Sequence, residues 1–432
     1  MDLFTATVAT ETQTRNVSDI VWREDLYPRF EPNPSVIQQY AESLDQLPPV
    51  EVNQHNELID GYHRWTAHKV AKEGEIAVTV TETASDREFL RLAIQRNSKH
   101  GLQLSNEEKK SLVLRLYTGK TEEKEEFVRL FSVSLRTIAR WTSRRDKDLK
   151  AERDRKIADM WLACYTDDEI ADSVGCGRST VTTLMKDPSE IAIWQKLTNL
   201  SRYQDPDWSP PLYNVWKTQN KSNATSHFGN SEASFTDNLL YMYTEPFDIV
   251  VDPFAGGGAT IDVCKRRLRR YWASDRKPTP VRRDIREWDI LDGPPPLYNR
   301  WGDVALLYLD PPYWKQAEGQ YSDDPQDLAN MELDAFYERL GALVGECGDR
   351  MQPGSHIALL IQPTQWNAPG RQVIDHVMDL VQCLTSDKLR LEMRISCPYE
   401  SQQCTAQQVE WAKENRTVLV ISREIIIWRV AE

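Results

Sequence analysis

The sequence has no long apolar run and no clustered cysteines. No apolar stretch approaches the ~18 residues that a bilayer-spanning helix needs. The start, MDLFTATVATE, lacks the basic region and the apolar core of a secretory signal. Seven cysteines stand singly among 432 residues without a C-x-x-C pair, which disfavours a zinc ribbon and suits a reducing compartment. We therefore predict a cytoplasmic protein without membrane attachment and without a bound metal.

The net charge of −13 taken alone disfavours nucleic acid as a partner, but the charge is unevenly distributed. Residues 264–286 contain ten Lys/Arg and two Asp/Glu, a local charge of +8, and residues 127–150 reach +5. Basic stretches of this kind are typical either of phosphate-binding surfaces or of solvated helix faces. With 40% hydrophobic and 28% charged residues, the composition is that of a folded chain of several domains.

Hydrophobic periodicity divides the chain into four stretches and predicts a multidomain α/β protein. Residues 1–100 mix short strands and helices as an α+β domain, and 101–187 are helical throughout. Residues 188–215 form a linker rich in Pro, Asp and Trp. From 216 to 432, strand-like apolar runs alternate with helices, which predicts a mixed, doubly wound, Rossmann-like sheet.

The helical stretch contains two helix-turn-helix patterns, at 125–145 and at 154–187. In the second, Thr166 and Glu169 have capping-box spacing, and VGCG (174–177) predicts the tight turn. The recognition helices of such motifs enter the major groove of DNA. The candidate DNA-contacting residues are Arg136, Arg140, Arg178, Ser179, Thr180 and Thr183. The alternative is a small helical bundle that serves only packing.

A glycine-rich turn follows an apolar strand in DIVVDPFAGGGAT (248–260). Glycines there let a ligand approach the backbone, and the helix that follows presents free N–H groups. No Lys-Ser/Thr follows the glycines, so this is not a phosphate loop. An acid ending the next strand, Asp275, suits ribose hydroxyls, and Asp289 suits an adenine edge at a third strand end. The alternative for either acid is a helix cap or a solvated loop.

A second strand ends abruptly in LLYLDPPYW (306–314). Pro311 and Pro312 carry no N–H and leave their carbonyls free to accept hydrogen bonds. Asp310 adds a carboxylate, and Tyr313 adds a flat aromatic face. Together they predict a site that grips an amino group on a planar ring.

DPFAGGG followed by DPPY resembles the S-adenosylmethionine-dependent amino-methyltransferases of DNA, over residues 216–432. The resemblance implies S-adenosyl-L-methionine as cofactor and double-stranded DNA as partner, with the target base flipped out of the duplex. It implies adenine N6 more than cytosine N4. The implied catalytic residues are Asp310, Pro311, Pro312 and Tyr313. The implied cofactor residues are Asp252, Pro253, Phe254, Gly256, Gly258, Asp275 and Asp289, with Thr236 in the segment 227–236 beside the cofactor carboxylate.

The N-terminal stretch resembles the ParB/sulfiredoxin fold over residues 15–100. ELIDGYHRWTAHK (57–69) carries the resemblance, with LYPRFEPN (26–33) and AIQRN (93–97) on either side. It implies an anion-binding corner for a phosphate or nucleotide at Gly61, His63 and Arg64. Tyr62 replaces the sulfiredoxin cysteine, and Tyr-His-Arg replaces the Glu-Arg-Arg of CTP-binding ParB proteins, which argues against both chemistries. In the alternative, Arg64 binds a DNA phosphate or a local carboxylate.

Only two short stretches after the DPPY motif, 314–335 and 399–415, are available as a target-recognition insert. We therefore expect the domains upstream of residue 190 to supply sequence recognition. Two other classes of protein stay open: a ParB-like DNA-binding regulator with a non-catalytic methyltransferase half, and a methyltransferase of RNA or protein amides. The oligomeric state does not follow from the sequence.

Overall fold

A computed structural model of the protein describes residues 12–28, 33–99, 104–186, 211–217, 232–316, 318–319, 322–398 and 404–432. Most of the predicted linker 188–215, residues 227–231 of the predicted cofactor-carboxylate segment and residues 399–403 lie outside this range. Contacts divide the chain into two compact units, Met1–Glu152 and Arg153–Glu432. The division falls within the stretch that the sequence assigns to the helix-turn-helix region.

The N-terminal unit contains a small mixed sheet with helices. Its strands are β1 (Thr12–Asn16), β2 (Val50–Val52), β3 (Leu58–Asp60) and β4 (Glu75–Val80), in the order β1-β4-β2-β3. Its helices are α1 (Pro34–Ala41), α2 (Tyr62–Ala71), α3 (Asp86–Lys99), α4 (Asn106–Leu116) and α5 (Thr121–Phe131), followed by the start of α6 (Leu135–Leu162). Buried Val50, Val52 and Val78 pack against Trp65 of α2 to form the core beside the sheet.

Side-chain caps fix the starts of two helices in the N-terminal unit. The Asn33 side chain accepts hydrogen bonds from Ser35 and Val36 at the start of α1. Ser105 and Glu108 form a reciprocal capping box at α4. The second helix of the first helix-turn-helix pattern continues into the first helix of the second pattern, because α6 runs unbroken for 28 residues.

The C-terminal unit is built on a seven-stranded sheet. Its strands are β5 (Ile249–Asp252), β6 (Arg270–Asp275), β7 (Arg286–Glu287), β8 (Val304–Leu309), β9 (His356–Ile361), β10 (Leu389–Pro398) and β11 (Ser422–Val430), in the order β10-β11-β9-β8-β5-β6-β7. Its further helices are α7 (Asp167–Val174), α8 (Arg178–Leu184), α9 (Ala233–Tyr243), α10 (Ala259–Arg266), α11 (Leu333–Gly348), α12 (His376–Leu384) and α13 (Ala406–Glu414). The five strands from β7 to β9 are parallel, and β11 is antiparallel to both its neighbours.

This arrangement confirms the predicted mixed, doubly wound, Rossmann-like sheet. The strands are apolar on both faces because helices cover each side of a parallel sheet. One face of the sheet carries Val250, Tyr271 and Leu306, and the other carries Val251, Trp272 and Leu307. Strand order reverses between β5 and β8, and such a switch point is where ligands bind at the carboxyl ends of the strands.

Candidate active site

The carboxyl ends of three adjacent parallel strands each present an aspartate. Asp252 ends β5, Asp275 ends β6 and Asp310 directly follows β8. Because β5 is the middle strand of the three, the glycine loop and the DPPY motif lie on neighbouring strand ends at the switch point. The structure therefore brings together the two motifs that the sequence separates by more than 50 residues.

Asp252 is buried, and its environment favours the protonated form. Burial raises the pKa of the Asp252 carboxyl to about 7, and the charges of Asp310 and Asp275 add to this effect. Hydrogen bonds from the Thr260 hydroxyl and from the Phe254 N–H, at 2.9 Å, oppose the shift without cancelling it. The Phe254 bond also fixes the turn into the glycine loop.

Hydrogen bonds hold the glycine loop on two sides. On one side, Asp275 accepts hydrogen bonds from the backbone N–H groups of Gly256, at 3.0 Å, and Lys277, at 2.9 Å. On the other side, Gly258 begins α10 with φ +85°, and a Cβ there would lie 2.6 Å from the Arg282 guanidinium. Arg282 donates to the carbonyl of Gly257 and forms ion pairs with Asp262 and Asp284.

Asp289 occupies a partly exposed position beyond β7. One of its oxygens caps the turn at Leu291, and the other forms a 2.9 Å ion pair with Arg276, which also pairs with Asp324. Thr236 lies within α9 and is buried. Next to it, Asp237 pairs with Arg266 and Arg267.

The DPPY segment presents the side chains of Asp310 and Tyr313 at the switch point, and the residue that follows the motif anchors the segment. The Tyr313 hydroxyl donates to Asp310 at 3.3 Å, and both side chains are half-buried. Trp314 is buried, and its indole N–H donates to the Met331 carbonyl at 2.8 Å. Trp314 is therefore a packed anchor of the loop.

A network of largely buried hydrogen bonds holds the Trp314 end of this loop. The Thr364 hydroxyl bonds to the Trp314 carbonyl at 2.9 Å and lies 3.0 Å from His376 Nε2. His376 Nδ1 lies 2.9 Å from the Tyr337 hydroxyl, which lies 2.7 Å from Asp379. Burial lowers the pKa of His376 to about 4, so the ring is neutral near pH 7. The sequence carries no local signal for this hydrogen-bond network, because the residues that form it are far apart along the sequence.

The basic stretch 264–286 does not form a free phosphate-binding surface. Eight of its ten cations donate to acceptors within the C-terminal unit. They are Lys265, Arg266, Arg267, Arg269, Arg270, Arg276, Arg282 and Arg286. Their partners come from other parts of the chain, so the local charge count alone is misleading.

Three arginines of the C-terminal unit hold the end of α6, a feature that sequence reasoning missed. Arg286 donates to the Ala163 carbonyl at 2.6 Å and lies over the Tyr165 ring at 4.7 Å. Arg270 stacks on Trp161 at 4.1 Å, and Arg300 donates to the Cys164 carbonyl at 2.9 Å. Cations at a helix C-terminus are favoured by the exposed carbonyls. We call these three residues the arginine clasp.

The residues predicted to contact DNA lie on helix starts in both units. Arg136 and Arg140 are exposed in the first turns of α6. On α8, Ser179 and Thr183 are exposed, Thr180 is half-buried, and Arg178 forms a 3.4 Å ion pair with Asp168. The second helix pair has the predicted form: the Thr166–Glu169 capping box starts α7, and Gly175 ends it.

The N-terminal anion corner is occupied by internal contacts. Gly61 starts α2 with φ +104°, and a Cβ there would lie 2.7 Å from Val50. Arg64 donates to Asp60 at 2.7 Å and to the Pro48 and Pro49 carbonyls. His63 Nε2 accepts from the Asn33 N–H at 2.9 Å. Arg64 is thus held by a local carboxylate, which is one of the alternatives that the sequence leaves open.

Within the described residues, no group of three or more His, Cys, Asp or Glu side chains is arranged to hold a metal ion. Among the described helices, none is both long and apolar enough to cross a membrane.

A family model described as DNA methylase, of the N6/N4 methyltransferase type, matches residues 98–282. The match includes the glycine loop and ends before the DPPY motif. A comparison with curated proteins finds no match.

Solved structures that match include the chromosome-partitioning protein ParB from Caulobacter crescentus complexed with CTP-gamma-S. It has 18% identity and a TM-score of 0.20, over 30% of this chain and 76% of that chain. TrmN from Thermus thermophilus has 13% identity and a TM-score of 0.30, over 46% and 49%. A geranyl diphosphate methyltransferase in complex with SAM has 13% identity and a TM-score of 0.31, over 46% and 86%.

These structural similarities are partial, and the family model carries the assignment. It agrees with a glycine loop and a DPPY motif that meet at the switch point of a Rossmann-like sheet. The family model indicates a DNA methyltransferase of the adenine-N6 or cytosine-N4 class, which uses S-adenosyl-L-methionine as its cofactor.

Proposed function

We propose that the enzyme methylates adenine N6 at specific sites in double-stranded DNA, and that the adenine leaves the base stack to reach Asp310. The observation that carries the proposal is the position of Asp310-Pro311-Pro312-Tyr313 at the end of β8, beside the glycine loop. Adenine is favoured because the motif resembles the adenine-directed form. A base inside a duplex cannot reach a pocket at a sheet edge, which is the reason for base flipping.

The residues at the strand ends fit the cofactor. S-adenosylmethionine, when bound, supplies an electrophilic methyl group on a positively charged sulfonium. Asp275 and Asp310 give this edge of the sheet a negative potential that suits a cationic ligand, and Asp252 adds to it when a cation favours its ionised form. In the proposed arrangement Asp252, Pro253, Phe254, Gly256 and Gly258 line the methionine side, with Thr236 near its carboxylate. Asp275 accepts from the ribose hydroxyls, and Asp289 lies towards the adenine ring.

Asp310 and its neighbours act on the target amine by positioning and electrostatics. The lone pair of an exocyclic amino nitrogen is conjugated into its ring, which makes the nitrogen a poor nucleophile. When Asp310 and the Pro311 carbonyl accept its two N–H bonds, a pyramidal nitrogen is favoured and the lone pair becomes available for in-line attack. Tyr313 stacks on the base, Pro312 stiffens the loop, and the buried Trp314 keeps the loop in place.

Sequence recognition is proposed for regions upstream of the methyltransferase sheet. The exposed arginines at the start of α6 and the exposed face of α8 supply candidate groups for DNA backbone and base edges. The corner at Gly61, His63 and Arg64 is the candidate site for a nucleotide or phosphate, and a ligand there must displace the contacts of Arg64 with Asp60.

Expression in a methylation-deficient host followed by single-molecule sequencing of its DNA tests the proposal. Wild type, Asp310→Ala and the control Asp323→Ala are compared, because Asp323 is an exposed carboxylate beyond the motif. We expect N6-methyladenine at one sequence motif in wild type and control, and none with Asp310→Ala. Methylcytosine marks overturn the choice of adenine. Marks that persist in Asp310→Ala overturn the proposed role of Asp310, and an absence of marks from all three favours RNA or protein amides or a regulator.

A further inference from the structure

Two tryptophans and an arginine form a half-buried cluster in the C-terminal unit. Trp366 and Trp411 meet edge to face, with ring centroids 5.6 Å apart and planes at 89°. The Arg371 guanidinium lies 4.0 Å from the Trp366 ring centroid and 5.1 Å from that of Trp411. We call these residues the Trp–Arg–Trp cluster. All three side chains are partly accessible to solvent.

The cation of this cluster is available for a ligand. Within the described residues, the Arg371 guanidinium has neither an ion pair nor a hydrogen bond to a side chain or carbonyl. This contrasts with the arginines of the stretch 264–286, most of which are paired internally. The position of the guanidinium within 5.1 Å of both indole centroids restricts its movement and leaves its N–H groups unused among the described residues. A fixed guanidinium edge is suited to bidentate binding of a phosphate.

The segment that carries Trp366 and Arg371 is joined to the DPPY loop by hydrogen bonds of neighbouring residues. It follows β9, the strand next to β8, at the same carboxyl edge of the sheet. Asn367 donates to the Lys315 carbonyl at 2.8 Å, and Gln316 donates to the Pro363 carbonyl at 3.1 Å. Gln365 bonds to the backbone of Val418 and Val420, which fixes the segment that follows α13. The segment that carries Arg371 is therefore attached to the loop that follows the DPPY motif.

We propose that Arg371, held by Trp366 and Trp411, binds a backbone phosphate of the DNA beside the target base. The inference rests on the placement of that base at Asp310 proposed above. DNA is favoured over a free anion because the enzyme acts on DNA and the cluster lies on the rim of the same loop. The phosphate contact would fix the register of the duplex, so that one base reaches the pocket.

Salt-dependent binding of the full-length protein to a duplex containing its methylated motif tests this inference. The variants are Arg371→Ala, Arg371→Lys and the control Arg390→Ala. Arg390 is exposed at the amino end of β10, at the opposite edge of the sheet. Loss of one phosphate contact makes the negative slope of log K against log salt shallower by about 0.9. The affinity ratio of wild type to Arg371→Ala should therefore shrink by about threefold between 50 and 200 mM salt.

We expect Arg371→Lys to keep the salt slope, because the charge remains. It should bind less tightly, because an ammonium lacks the planar edge that binds a phosphate through two N–H groups. Arg390→Ala should match wild type. A salt slope of Arg371→Ala equal to that of wild type overturns the inference. So does a loss of S-adenosylmethionine binding by Arg371→Ala, since the anion would then be the cofactor carboxylate.

The binding test and the methylation test distinguish failure of the phosphate site from failure of the proposed methylation. Arg371-dependent DNA binding by a protein that leaves no methyl marks retains the phosphate site and removes the proposed chemistry. Methylation of DNA with unchanged kcat and KM in Arg371→Ala removes the phosphate site alone. Unchanged thermal unfolding of each variant shows that a lost affinity does not come from a lost fold.

Discussion

Asp252 and Asp310 lie at the ends of the neighbouring parallel strands β5 and β8, close enough for the charge of one to affect the other. Burial, aided by that charge, raises the pKa of Asp252 to about 7. A buried carboxyl that is protonated near neutral pH is an unfavourable place for an anion and a favourable place for a ligand that brings positive charge.

Binding of S-adenosylmethionine should tighten as the pH rises through 7. A cationic ligand beside Asp252 favours the ionised carboxylate, so binding below pH 7 must release a proton. We expect the affinity to rise by up to about tenfold between pH 6 and pH 8 in wild type, as one pKa unit corresponds to a factor of ten. In Asp252→Asn this contribution should vanish. Isothermal titration calorimetry at several pH values provides the measurement.

Asp275→Asn is the matched control for this pH dependence. It removes the proposed ribose acceptor, so binding should weaken at every pH while the dependence on pH persists. The amino group of the ligand also titrates, but it contributes equally to the pH profile of every variant and therefore drops out of the comparison. Identical pH profiles for wild type and Asp252→Asn would contradict the prediction.

Gly258→Ala should destabilise the C-terminal unit, whereas Gly345→Ala should stabilise it. Gly258 has φ +85°, and an added Cβ would meet the Arg282 guanidinium at 2.6 Å, so we expect a loss of about 1–3 kcal/mol. Gly345 lies inside α11 with no atom within 4 Å of an added Cβ, so alanine should gain up to about 1 kcal/mol. Urea unfolding gives both free energies, and shifts of the same sign would refute this account.

His376 should make the C-terminal unit less stable in acid. Burial lowers its pKa from 6.5 to about 4 in the folded state, although Asp379 and Asp375 oppose the shift. Because the folded pKa is depressed, the neutral ring contributes fully above pH 6.5, and this stability is lost as the pH falls through 4. The contribution reaches about 3 kcal/mol at most. Free energies of unfolding at pH 7, 5.5 and 4.5 measure it.

His376→Gln provides the control, since glutamine can bond to Thr364 and Tyr337 but does not titrate. Carboxylates elsewhere add their own acid dependence in both proteins. The difference between wild type and variant should therefore shrink as the pH falls. If the two curves stay parallel from pH 7 to pH 4.5, His376 is not the group responsible.

Local sequence signals predicted much of this structure. The strand at DIVVDPF ends in Asp252, and the strand at VALLYLD ends one residue before Asp310. Capping boxes at Ser105 and Thr166 were predictable because all their partners lie within three residues. These features depend on neighbours along the chain, which a sequence pattern records directly.

Features that depend on distant partners were not predictable. The stretch 264–286 has the charge of a phosphate-binding surface, yet Asp237 and the carbonyls at the end of α6 take up several of its cations. The Trp–Arg–Trp cluster joins Trp411 to two residues that lie 40 or more positions earlier. The hydrogen bonds from Trp314 to His376 and Tyr337 join three separate elements. Only the folded sheet sets these distances.

The arginine clasp should hold α7 and α8 to the methyltransferase sheet. Arg286→Ala removes the hydrogen bond to the Ala163 carbonyl and the contacts of the guanidinium with Tyr165 and Trp272. We expect a loss of about 2–3 kcal/mol, from one charged hydrogen bond and a partly desolvated cation–π contact. Backbone amide exchange in α7 and α8 should become faster, because opening of these helices no longer breaks the contacts of Arg286.

Arg283→Ala is the matched control, because Arg283 is three residues away and exposed. Its effect on stability should stay within about 0.5 kcal/mol. Arg286→Lys should fall between the two, since it keeps the charge and loses the planar group that stacks on Tyr165. Hydrogen–deuterium exchange followed by mass spectrometry resolves the peptides of α7 and α8. Exchange in Arg286→Ala as slow as in wild type would show that apolar packing of Ile170 and Val181 alone holds the helix pair in place.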